Sequence, residues 1–175
     1  MRLLHLTYYS IHKCPFPTAA QHIDSTTYDL GWDGLRTAVI PDITGLPSLD
    51  HSLFLINATK FHTGQIFHLF DEPTFMPQLY EFYQNPAERI HTSGLWFIHF
   101  LVIIALGKGF VETNTRGKVP LGASLFKKAF LMLPDHCYLW KEPNTSAELL
   151  CSMALYFQCI DWRTSAHNMV TFSFS

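Results

Sequence analysis

The chain runs to 175 residues, 48% of them apolar and only 15% charged, with a formal net charge of −2. That length suits one domain with a real core, and a charged fraction below the roughly 25% of ordinary soluble domains implies apolar surface kept for a partner. The cations Lys108, Arg116, Lys118, Lys127 and Lys128 are scattered, which excludes the clustered charge that phosphate binding requires, so no direct contact with DNA is expected.

Residues 1–47 carry Pro15, Pro17, Pro41 and Pro47 and no sustained helical stripe. They read as a linker or an extended, poorly ordered lead-in. Arg2 and the brief apolar stretch after it lack the core and cleavage pattern of a signal peptide. From Ser48 the pattern becomes helical. Ser48 can cap a helix bearing Leu53, Ile56 and Phe61 that frays near Thr63 and Gly64. Asp71 or Thr74 can cap a second, with Phe75, Leu79, Phe82 and Tyr83 on one face. Asn85-Pro86 breaks it and starts a short turn. Thr92 or Ser93 caps a third helix, Trp96 to Leu106, apolar nearly all round and suited to the centre of a bundle, which Gly107 and Gly109 are expected to end. At about a dozen apolar residues it falls short of the roughly 20 of a membrane span, so it reads as a buried helix and no membrane is expected.

After a polar loop from Glu112 to Val119, a stripe of Leu121, Leu125, Phe126, Ala129, Phe130 and Leu133 closes at Pro134. Thr145 and Glu148 have the spacing of a capping box. The helix it would open buries Leu149, Leu150, Met153, Ala154, Phe157 and Ile160, and Asp161 can cap one more through Trp162 and Ala166. The whole reads as all-α, an irregular bundle of five to six helices, with a body at 48–170 and a tail at 171–175.

Catalytic and metal chemistry find little support. The four cysteines, Cys14, Cys137, Cys151 and Cys159, form no C-x-x-C pair. A reducing compartment fits them, with Cys151 and Cys159 acting as small hydrophobes in a helix. His62 and His68 are six residues apart, and His91 and His99 eight, which does not give the adjacent pair of a helical zinc motif. Gly122-Ala123-Ser124 is not a nucleophile elbow. Gly107-Lys108-Gly109 lacks phosphate-loop spacing, and Asp71-Glu72 suit a helix start. Two glycosylation sequons, at Asn57 and Asn144, have no secretion signal to support them. No enzyme, no metal and no cofactor are expected. A small helical enzyme would need a titratable cluster around His62, His68 and Asp71.

Four ordered stretches carry a resemblance. They are Leu46-Pro47-Ser48-Leu49-Asp50-His51 through Phe61-His62, Ile66-Phe67-His68-Leu69-Phe70-Asp71-Glu72-Pro73-Thr74-Phe75, Ile103-Ile104-Ala105-Leu106-Gly107, and Gly122 to Leu133 with Ala147 to Tyr156. Their order and spacing, over about 46–168, resemble the middle homology region of fungal binuclear zinc-cluster transcription factors, the fungal-specific transcription factor domain, here partial. The resemblance implies a helical, effector-responsive regulatory domain over 48–170, a nuclear location and control of RNA polymerase II genes. It implies partners among other segments of the factor or the transcription machinery, and a small-molecule effector. In the family, zinc and DNA contact belong to a separate six-cysteine cluster, which this sequence lacks, so zinc ligands and DNA-contacting residues are carried over to no position. The apolar groups singled out for an effector or partner surface are Phe67, Phe75, Trp96 and Phe100. The competing reading makes all four ordinary core. The alternative function is a helical protein–protein interaction module unrelated to transcription.

Overall fold

Ser48 opens the first helix as its hydroxyl accepts the amide of His51 at 3.4 Å, satisfying one of the amides that a helix start leaves without a partner. The computed structural model describes residues 43–112 and 119–173. The lead-in expected at 1–47 therefore lies outside the described residues except for 43–47, as does most of the loop at 112–119. The described residues contain eight helices and no strand, an all-α fold.

Helix α1, Leu49–Thr63, ends at Gly64. A connector over 64–71 leads to α2, Glu72–Gln84, which Asp71 caps by accepting the amide of Thr74 at 3.2 Å. Asn85-Pro86 does more than break that helix. Proline suits the first helical position, where its missing N–H costs nothing, and α3, Pro86–Thr92, follows at once. Together with α6, His136–Leu139, this short helix raises the number from the expected five or six to eight.

Helix α4, Gly94–Val111, buries every residue from Leu95 to Gly107. It runs through Gly107 and Gly109, which were expected to end it. Gly107 serves packing instead. A Cβ there would overlap the Leu55 carbonyl of α1, so its absence lets the two helices cross closely. Thr59 completes that crossing by donating to the Ile103 carbonyl at 3.0 Å. Ser93 precedes α4 but gives no cap, because its hydroxyl turns back to the Arg89 carbonyl at 2.6 Å. By length and composition α4 could cross a membrane, with a mean hydropathy of 1.9, yet 72% of it is buried within the fold.

Helix α5, Ala123–Leu131, buries Leu125, Phe126 and Ala129. It begins after Gly122, whose φ of 74° and close seat against the Ala105 carbonyl both require glycine. Helix α7, Pro143–Cys159, starts ahead of the anticipated capping box. Pro143 is ready for the first turn, so Thr145 and Glu148 fall inside the helix. All of Leu149, Leu150, Met153, Ala154 and Phe157 are buried as anticipated, and Ile160 is half-buried at the end. Cys151 is half-buried and Cys159 exposed, so the second thiol does not act as a core hydrophobe. Helix α8, Arg163–Ser173, extends through the first residues of the tail placed at 171–175. It buries Ala166, whereas Trp162 just ahead of it stays 60% exposed. One contiguous apolar cluster joins these helices, with α4 at its centre against α1, α5 and α7.

Candidate effector groove

The four apolar candidates do not form one surface. Phe75, Trp96 and Phe100 are 3%, 5% and 0% exposed, and so cannot offer a broad docking face. Trp96 and Phe100 sit one turn apart on α4 with their rings stacked at 5.5 Å and 3° between planes. Phe75 packs against Trp96 at 5.6 Å, and the Trp96 indole N–H donates to the Phe75 carbonyl at 3.2 Å. Trp96 and Phe100 are covered because this stretch of α4 lies at the centre of the bundle, and Phe75 because α2 packs it inward against Trp96. Phe67 lies apart on the connector and is half exposed.

Two open grooves flank the connector. One, of about 580 Å³, is lined by Lys60, Phe67, His68 and Pro73 among others. The second, of about 520 Å³, reaches Thr74, the edges of Phe75 and Trp96, His99 and Thr145. Asp71 and Glu148 line both, so the grooves meet at this carboxylate pair, where the start of α2 faces the first turns of α7.

Beneath them lies a buried polar tie. The His99 Nε2 is 3.1 Å from the Ser152 hydroxyl, which also lies 2.8 Å from the Glu148 carbonyl and 3.5 Å from the Leu69 carbonyl. Burial pushes the imidazole down to about 4, against a smaller opposing pull from the Leu69 backbone. His99 is therefore neutral near pH 7 and sits edge-on to Phe75 at 5.5 Å. At the rim, burial raises the Glu148 carboxyl above its ordinary value. The Asp71 charge adds to the rise, and a hydrogen bond from the Asp71 backbone opposes it.

These groups can receive a small molecule by shape and hydrogen bonding. The titratable cluster required of an enzyme is only partly assembled. His68 and Asp71 share a groove, but His62 instead stacks on Phe110 at 5.0 Å, and the Asp71 carboxylate caps α2. Among the described residues no three His, Cys, Asp or Glu side chains gather so as to hold a metal ion. Sequence reasoning passed over Ser152 and the tie to His99. The available signal was His99 itself, the one polar side chain between Leu95 and Leu106, since a polar group on an enclosed helix needs a partner. In comparisons with known proteins, no family model, no curated protein and no solved structure matches the chain.

Proposed function

We propose that the chain is a regulatory, non-catalytic domain of a fungal zinc-cluster transcription factor, acting in the nucleus on RNA polymerase II transcription. The observation that carries the regulatory part is the meeting of two grooves at Asp71 and Glu148. A small effector seated there touches the end of α1, the connector and α7 together. It biases their arrangement by as much as its affinity differs between the alternatives. The link to transcription rests on the order of the segments Leu46–His62, Ile66–Phe75, Ile103–Gly107 and Gly122–Tyr156 in the sequence. Under this reading zinc and DNA are engaged only by a separate cluster, and the signal passes to other segments of the factor or to the transcription machinery.

The test fuses the full chain between a heterologous zinc-cluster DNA-binding domain and an activating segment, with a reporter gene as readout. Insertion of the chain is expected to change reporter output several-fold, and Thr145→Trp, which fills the second groove, to alter that change. Unaltered output from a stable, nuclear fusion sinks the proposal.

The exposed aromatics Phe54, Phe61, Trp140 and Trp162 favour a second reading, a helical interaction module unrelated to transcription. A six-cysteine cluster of short, regular spacing encoded just upstream separates the two, since only the first reading requires it.

A further inference from the structure

Charge is out of balance where the two grooves meet. Along the second groove Asp71 and Glu148 are the only ionised side chains, because burial keeps His99 neutral and the remaining polar groups carry no charge. Along the first, the one lysine or arginine is Lys60, and Glu72 already holds it in an ion pair. No Lys, Arg or His of the described residues lies within ion-pair distance of Asp71 or Glu148.

Hydrogen bonds orient these two carboxylates without neutralising them. The Asp71 Oδ2 accepts the Thr74 amide at 3.2 Å and the Thr74 hydroxyl at 2.5 Å, and the Asp71 backbone bonds to Glu148. The starts of α2 and α7 each add roughly half a positive charge, so two full negative charges still leave an excess. It is felt at Glu148, whose carboxyl the Asp71 charge helps to raise. The wall beside this point is apolar. Half-exposed Phe67, half-buried Phe70 and Pro73 line the first groove, and Phe70 is fixed against Phe75 at 4.5 Å.

We propose that the junction binds an organic ammonium ion, its head between Asp71 and Glu148 and its apolar body along Phe67 and Pro73. This names the ligand of the junction, and it rests on the effector-site reading above. An ammonium group presents donors only and an ionised carboxylate acceptors only. The head therefore fills lone pairs that Thr74 leaves open, and it offsets the repulsion between the two acids. An anionic ligand would itself be repelled. A bare metal ion fits less well, because among the described residues no third His, Cys, Asp or Glu joins the pair, and it would leave Phe67 uncovered. Solvent reaches both carboxylates, which keeps the attraction modest, so binding is weak and exchange fast.

Phenethylammonium is the probe, with 2-phenylethanol and phenylacetate as its neutral and anionic counterparts. Each is titrated into the isotopically labelled full chain and followed through amide shifts by nuclear magnetic resonance. The amine is expected to bind several-fold more tightly than the alcohol and the acid least tightly, with shifts centred on 67–74 and 145–149. Asp71→Asn and Glu148→Gln remove charge but little shape, and asparagine still caps α2. Each should weaken the amine by about twofold or more while leaving the alcohol unchanged, and the double variant should erase the preference. Phe67→Ser should weaken amine and alcohol alike. Equal affinity for amine and alcohol overturns the proposal, as does tighter binding of phenylacetate, amine shifts centred elsewhere, a preference that survives in the double variant, or calcium chloride reproducing the same shifts at equal concentration. Reporter output changed by the inserted chain without selective amine binding also overturns it and leaves the regulatory role standing. Selective amine binding with unaltered reporter output upholds the ammonium site and removes the regulatory role.

Discussion

His99 shows what a single buried polar group imposes. Its imidazole is 1% exposed and is held to about 4 against an ordinary 6.5, mainly by burial. The folded chain therefore accepts this proton later than the unfolded chain does. The stability tied to the neutral ring is whole above pH 6.5 and is lost as pH falls from there towards 4. The limit of that loss is on the order of 3 kcal/mol. Urea midpoints taken between pH 7 and pH 4 should fall steeply for the native chain and more gently for His99→Leu, which has no proton to accept. Glu148 works in the opposite sense. Its carboxyl is raised, chiefly by burial, so its contribution is present below the unfolded value and is lost as pH rises through the folded one. Glu148→Gln is accordingly expected to raise the urea midpoint at pH 7 and to have little effect at pH 4. Ser152→Ala should cost about 1–3 kcal/mol, because it leaves a buried imidazole nitrogen short of a partner. It should also speed amide exchange along 69–71, since the Leu69 carbonyl loses the same hydroxyl.

At the scale of elements, the two glycines near the C-terminal end of α4 make opposite forecasts. A Cβ at Gly107 would overlap the Leu55 carbonyl, whereas one at Gly109 meets nothing within 4 Å. Gly107→Ala must push α1 off α4 and should cost at least about 2 kcal/mol, the range of overpacked cores. Gly109→Ala should stabilise by roughly 0.5–1 kcal/mol through helix propensity. Thermal denaturation of the pair checks both. The same two residues show how far the sequence could be read. A glycine after an apolar run is a common helix end, and only the close crossing with α1, made by residues some fifty positions earlier, reveals the other use. The starts of α1 and α2 were legible because Ser48 and Asp71 act through local hydrogen bonds. The start of α7 was not, because Pro143 opens the helix without a side-chain cap and so left Thr145 and Glu148 as a decoy. Of the four candidates for the surface, only Phe67 is exposed, and nothing in the sequence set it apart from the other three. Which face of α4 meets solvent depends on the placement of its neighbours, and between Leu95 and Gly107 every residue is buried. The tie between His99 and Ser152, 53 positions apart, likewise exists only in the folded arrangement.

For the molecule as a whole, one apolar cluster runs from Leu55 in α1 to Ala166 in α8, and each longer helix contributes to it. The described helices fall within one compact unit, Asp33–Ser175. No helix can leave without exposing part of a neighbour, and α4 cannot leave without exposing most of the core. Such coupling favours a single cooperative transition over stepwise fraying. The aromatic groups offer a local check, since Trp96 is 5% exposed with its indole N–H bonded to Phe75, whereas Trp140 and Trp162 are already 58% and 60% exposed. In guanidinium titrations of the Trp32→Phe chain, which leaves Trp96, Trp140 and Trp162 as the emitters, the red shift of tryptophan emission should arise mainly from Trp96, and Trp96→Phe should remove most of its amplitude. Its midpoint should coincide with that of helix loss by far-ultraviolet circular dichroism. A fluorescence midpoint well below the helical one would mean that the groove and its aromatic floor open before the bundle does. In that case an effector would act on a locally melted region, and the regulatory reading would have to be recast as coupled folding and binding.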